Sequence, residues 1–129
     1  MGLLENKTVI VTGAGRGVGR AIALAAAEAG ANVGVNDIGV SLEGNATSES
    51  PADEVVAEIR AAGGNAIALT QSVADWGAAH AMIKETVETF GAIHAVINNA
   101  GNLRDVLFHK MSEEDFDAVI NVHLKGTFN

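Results

Sequence analysis

Glycines stand at positions 13, 15, 17 and 19, directly after Thr12 and separated by Ala14, Arg16 and Val18. Such a run lets the backbone turn sharply and lets an anion approach main-chain N–H groups. The apolar run Val9-Ile10-Val11 precedes it, and an alanine-rich helical pattern follows from about Gly17. A helix starting there adds partial positive charge at its N-terminus. Thr12, Gly13, Gly15, Arg16, Gly17, Val18 and Gly19 are therefore the candidate cradle for a pyrophosphate. The spacing is G-x-x-x-G-x-G over Gly13, Gly17 and Gly19, since Val18 stands where G-x-G-x-x-G would need its third glycine. No Lys-Ser/Thr pair follows the turn, which excludes a P-loop.

A second chemical group lies further on. Asn36-Asp37 closes the next apolar run, and Asp37 follows Gly19 by 18 residues. That is near the spacing at which a carboxylate accepts from ribose hydroxyls in a dinucleotide-binding βαβ unit. A carboxylate there repels a 2′-phosphate, so it favours NAD over NADP. Arg16 pulls the other way, because a guanidinium in the turn is placed to meet that phosphate. Asp37 weighs more, so NAD is the expected cofactor and NADP the alternative. The four histidines at 80, 94, 109 and 123 are scattered and form no metal-binding spacing, so no metal site is expected.

The chain of 129 residues fits one domain, and with 48% apolar residues it has material for a core. A net charge of −8 without a basic stretch argues against nucleic acid and against an anionic membrane surface as partners. No apolar run approaches the roughly 18 residues that span a bilayer, and the first residues do not resemble a signal peptide. Cysteine is absent, which removes disulfides and thiolate chemistry and is compatible with the cytoplasm, the expected location.

Four elements of one kind and four of another must position these residues. The runs 9–11, 33–35, 66–69 and 93–97 are mostly continuous in apolar character, as strands buried on both faces are. Helical patterns fill residues 17–29, 51–62 and 76–90, each followed by a glycine suited to a left-handed C-cap. Ser50 is the expected N-cap of the second helix, with Pro51 in its first turn. Ser112 with Asp115 is the expected cap of a last helix whose stripe is Phe116, Val119, Ile120, Leu124 and Phe128. The order βαβαβαβα implies a Rossmann-like parallel α/β sheet. Residues 38–50 read as a polar loop, longer than a typical strand-to-helix connection.

The fourth strand runs into Asn98-Asn99-Ala100-Gly101. With Thr12-Gly-x-x-x-Gly-x-Gly at the end of the first strand, this resembles the short-chain dehydrogenase/reductase family over the whole chain. Arg104-Asp105 and Met111 resemble the 3-oxoacyl-thioester reductases. Asn36-Asp37 with its long loop, and Val122-His123-Leu124-Lys125-Gly126, resemble the hydroxyacyl-CoA dehydrogenase units of multifunctional β-oxidation enzymes.

The resemblance implies roles. Gly13, Gly17 and Gly19 would line the pyrophosphate and Thr12 would brace the turn. Asn98 and Ala100, in the motif that Gly101 ends, would pack against the adenosine side and steady the fourth strand. Ser72-Val73 takes the place of an adenine-contacting Asp and the apolar residue after it. Asn121 matches a helix asparagine that holds a water in the proton relay, the one catalytic position expected in the chain. The family's hydride transfer also needs a Ser and a Tyr-x-x-x-Lys, and this sequence contains no tyrosine. The expectation is therefore the N-terminal portion of a longer NAD(P)-dependent oxidoreductase, residues 1–129 forming its cofactor-binding domain, truncated after the fourth strand and following helix. These residues alone should bind dinucleotide weakly and turn nothing over. A small carbonyl or alcohol substrate would need the missing C-terminal half, and association with that half or a homo-oligomer is expected. A nucleotide-binding or self-assembling module without chemistry is the alternative.

Overall fold

The computed structural model describes residues 2–39 and 50–129. Four strands, β1 (Thr8–Val11), β2 (Asn32–Asn36), β3 (Asn65–Leu69) and β4 (Ala95–Ile97), form a parallel sheet in the order β3-β2-β1-β4. Three helices alternate with them: α1 (Gly17–Glu28), α2 (Pro51–Ala61) and α3 (Trp76–Phe90). After β4 come a short 3₁₀ turn at Phe108–Lys110, helix α4 (Glu113–Ile120), a π-helical turn at Asn121–Lys125 and a final turn α5 (Gly126–Phe128). The expected α/β order is the observed one.

The order of the strands follows from the crossovers. β1, β2 and β3 step one way across the sheet, and β4 returns to the far side of β1, pairing Val9 with Ala95 and Val11 with Ile97. The reversal places a switch point between β1 and β4. Crevices at the carboxyl ends of strands that flank such a point are where open α/β sheets bind ligands.

Two apolar clusters hold the layers together. Val9, Val11, Val33 and Val35 pack with Ala23 and Ala26 of α1 and with Val55, Val56 and Ile59 of α2. Ile10 and Leu69 pack with Met82 of α3 and with Val73, flanked by Ile83, Ile93 and Val122. Alternate residues of β1 thus enter different clusters, as period-2 geometry requires, and both faces are apolar because helices cover both. Gly34 lets this happen at its position: a Cβ there would stand 2.9 Å from Leu69 Cδ1.

Two local expectations are modified. Ser50 is the N-cap residue of α2, with Pro51 after it as expected, but its hydroxyl donates to the Asp53 carboxylate and caps no backbone amide. Helix α3 does gain a side-chain cap, where Asp75 accepts from Ala78 N at 2.6 Å. The last helix runs through from Glu113 to Phe128 as expected, but it is not a regular α-helix over that span. Ser112 caps α4 as expected, accepting from Asp115 N at 3.0 Å, but the helix widens at Asn121, whose carbonyl accepts from Gly126 N. The widened turn brings Gly126 against Val73, so close that a Cβ would stand 2.7 Å from Val73 Cγ2. Asn129 Nδ2 then donates to Val73 O at 2.9 Å. The expected long loop at 38–50 lies largely outside the described residues. No helix among those described is long and apolar enough to cross a membrane.

Candidate functional site

β1 ends at Val11, and the chain enters the glycine turn at the switch point. Thr12 is buried, 2% exposed, and its hydroxyl is fully used. Thr12 Oγ1 accepts from Asn99 N and from Ala100 N, each at 3.0 Å, and donates to Ile97 O at 3.4 Å. One O–H donor and two acceptor lone pairs are all a threonine hydroxyl has. Asn99 answers from the β4 side: its Nδ2 donates to Thr12 O at 3.0 Å and to Gly13 O at 3.1 Å. The ends of β1 and β4 are thereby locked together at the mouth of the crevice.

The glycines are required by what surrounds them. Gly13 adopts φ +63°, and a Cβ on it would stand 2.9 Å from Ala100 Cα. At Gly19 a Cβ would lie 2.3 Å from Gly13 O and 2.4 Å from Asn99 Nδ2. At Gly15 it would meet Pro51 Cβ at 2.4 Å and Asp37 Oδ2 at 2.7 Å. Gly17 differs: among the described residues nothing lies within 4 Å of its absent Cβ, and only its φ of +59° favours glycine. No described residue therefore fills the space beside Gly17. α1 starts there, and the amides of Gly17, Val18 and Gly19 precede the first intrahelical acceptor bond, Arg20 N to Arg16 O. Arg16 and Val18 are exposed, and Arg16 has extended backbone as the N-cap. A helix N-terminus whose first amides meet no acceptor among the described residues is suited to an anion.

Asp37 stands beside this turn. Its Oδ2 accepts from Gly15 N at 3.0 Å and its Oδ1 from Gly39 N at 2.8 Å. Each carboxylate oxygen keeps a further lone pair for an outside donor. Its neighbour Asn36 is buried and donates from Nδ2 to Leu69 O and Gln71 O, each at 2.9 Å, while Ala14 N donates to Asn36 O at 2.8 Å. Asn36 thus ties the ends of β2 and β3 to the turn, a task that its sequence context alone did not assign.

The remaining expected residues fall as follows. Ser72 Oγ accepts from Ala74 N at 3.2 Å within its own turn, and Val73 is buried under Gly126. Ala100 N reaches Thr12, and Gly101 is exposed at the end of the motif. The Asn98 side chain makes no hydrogen bond among the described residues; the brace between strands is Asn99. Asn121 is exposed and opens the π turn. Arg104 pairs with Asp115 at 3.6 Å, and with Asn102, Met111 and Phe116 they border a cleft of about 270 Å³ or its rim. Among the described residues no group of three or more His, Asp or Glu side chains is placed to hold a metal ion.

A doubly covered parallel sheet with a glycine turn at its switch point defines a nucleotide-binding α/β fold. The chain belongs to the short chain dehydrogenase family, whose family model matches residues 7–129. It is 49% identical to a short-chain type dehydrogenase/reductase of Mycobacterium tuberculosis over 126 residues, 98% of this chain and 44% of that protein. It is 50% identical to the peroxisomal multifunctional enzyme type 2 of Mus musculus, over 96% of this chain and 16% of the other. A 3-oxoacyl-(acyl-carrier-protein) reductase of Staphylococcus aureus is 46% identical over 95% of this chain and 47% of its own length. Both kinds of relative that the local motifs resemble are therefore present. Among solved structures, a short chain dehydrogenase from Mycobacterium avium superposes with a TM-score of 0.90 at 56% identity, covering 99% of this chain and 45% of that one. One from Burkholderia cenocepacia, solved in complex with NADP, gives 0.86 at 34% identity over 97% of this chain and 48% of that one. The chain spans less than half the length of each of these relatives.

Proposed function

We propose that residues 1–129 are the dinucleotide-binding N-terminal portion of an oxidoreductase that moves hydride between a nicotinamide cofactor and a carbonyl or alcohol substrate. The observation that carries this reading is the open helix N-terminus at Gly17, walled by Asp37 and by the Thr12–Asn99 lock. The residues fit the cofactor: Gly17 leaves its side of the turn clear among the described residues, Gly13 and Gly19 let the turn pack against Asn99 and Ala100 so that its amides line a pyrophosphate, and Asp37 retains acceptor capacity for ribose hydroxyls. A bound dinucleotide would supply the hydride. The chain's own part is to hold the adenosine half through Asp37, Ser72 and Val73, and the phosphates through the turn from Thr12 to Val18 and Gly19. Asn98, Ala100 and Gly101 border the same crevice in this proposal, and Asn121 holds a water for proton relay.

The substrate class in this reading is a 3-oxoacyl or 3-hydroxyacyl thioester. Its support is the pair of relatives named a multifunctional enzyme and a 3-oxoacyl-(acyl-carrier-protein) reductase, with Arg104 and Asp105 beside a cleft. The absence of tyrosine and the span of less than half of each relative support assigning the Ser and Tyr-x-x-x-Lys to a C-terminal half. Association with that half, or with further copies, belongs to the same proposal. So does a cytoplasmic location, which rests on the cysteine-free sequence; because the mouse relative is named a peroxisomal enzyme, cell fractionation is its test.

NAD is the proposed cofactor over NADP, because a 2′-phosphate would face the Asp37 carboxylate. Calorimetric titration tests this directly. NAD should bind at least about tenfold more tightly than NADP, since like charges brought together in a binding site cost on the order of kcal/mol. Equal affinities would end the Asp37 argument, and no binding of either would end the cofactor reading.

A further inference from the structure

The glycine turn is fixed by β1, β2 and the Asn99–Ala100 backbone. The next residues along, Gly101 and Asn102, are gripped by a different element. His123, in the π turn, places Nε2 3.1 Å from Asn102 N and 3.1 Å from Asn102 O. The imidazole lies against Gly101 so closely that a Cβ there would stand 2.7 Å from His123 Cε1 and 3.1 Å from Nε2. Asn102 Nδ2 adds a bond to Ala118 O at 3.1 Å, on the preceding helix. A neutral imidazole nitrogen is an acceptor or a donor according to tautomer. Since Nε2 reaches both backbone groups of Asn102, either tautomer finds a partner there. The widened helical turn that carries His123 is the departure from a regular helix noted above, and π turns of this kind gather at functional sites.

The chain from His123 to the turn is short. Asn102 follows Gly101 and Ala100, Ala100 N donates to Thr12 Oγ1, and Ala100 Cα limits the space at Gly13. His123 is itself exposed, so packing is a small part of what it contributes. We propose that His123 is a positioning residue for the dinucleotide site, holding the Gly101–Asn102 backbone and through it the Ala100 wall of the glycine turn. The inference rests on the dinucleotide reading of that turn.

The test combines NAD titration with amide hydrogen exchange on the 129-residue chain and its variants His123→Phe and His123→Gln. Phenylalanine keeps a ring without a polar atom, whereas glutamine restores a donor and an acceptor near Nε2. With one backbone hydrogen bond worth about 1 kcal/mol, His123→Phe should weaken NAD binding about fivefold. Exchange at the Asn102 amide should accelerate while that of Val9 and Val11 in β1 stays unchanged. His123→Gln should return both readouts to within about twofold of the parent. Equal NAD affinity in the parent and His123→Phe overturns the proposal and leaves the cofactor reading standing. A parent that binds no NAD overturns both. If His123→Phe loses protection in β1, Gly101→Ala replaces it, because its methyl displaces the ring; unchanged NAD affinity in that variant also overturns the proposal.

Discussion

Ile10, Val11, Val33 and Val35, on the strands that feed the glycine turn, are each 0% exposed, while Leu124, Phe128 and Phe108, beyond β4, are 67%, 75% and 89% exposed. The two regions have similar apolar content and opposite fates. The first is sandwiched between α1 and α2 on one side and α3 on the other. The second has one helical layer with no second layer against its outer stripe among the described residues, and α4 contains no buried residue. The phosphate turn is built where helices cover both faces of the sheet: α1 and α2 follow β1 and β2 directly, and α3 reaches Ile10 from further along the chain. The region that includes Asn121 has no such covering element among the described residues. The association proposed above, with a C-terminal half or with further copies, would cover these exposed apolar side chains.

The largest effect that would sharpen this contrast is on stability. Ile10→Ala removes a wholly buried side chain from the junction of β1 with the α3 face and should cost about 3 kcal/mol in denaturant melts. A loss below about 1 kcal/mol would mean that the sandwiched half is loosely packed and the contrast is false. Thr12→Val comes next. It keeps the shape but leaves Asn99 N and Ala100 N without their acceptor, at an expected cost of about 2 kcal/mol together with weaker NAD binding. Retained NAD affinity would separate the lock from the cofactor site. The smallest effect is expected at Leu124→Ala, within about 0.5 kcal/mol for the isolated chain. A loss comparable to that of Ile10→Ala would show that this face is covered in solution, and sedimentation of both proteins would then reveal the partner copy.

The strands were legible because buried parallel strands are continuous in apolar character, and the helices because each pattern ends at a glycine. Gly30, Gly63 and Gly91 do take positive φ, at 98°, 88° and 86°. The glycine turn was legible for the same local reason: a side chain at Gly13, Gly15 or Gly19 would collide with Ala100, Asp37 or Asn99, and the positive φ of Gly17 favours glycine. Ser50 misled because Asp53, a residue that itself suits the first helical turn, took its hydroxyl. The widening at Asn121 was not legible, since the stripe Phe116, Val119, Ile120, Leu124 and Phe128 keeps helical spacing across it.

By itself, then, the sequence determined the order of strands and helices and the place of the phosphate turn, since both depend on residues adjacent along the chain. Tertiary structure alone decided that Asn99 and not Asn98 joins β4 to β1, that Asn36 ties three segments together, and that His123 reaches Gly101 and Asn102. These choices depend on which side of a strand exit faces a crevice and on a helix that widens to admit Gly126 beside Val73. Such relations are set by contacts between residues 21 to 87 positions apart, and local periodicity carries no information about them.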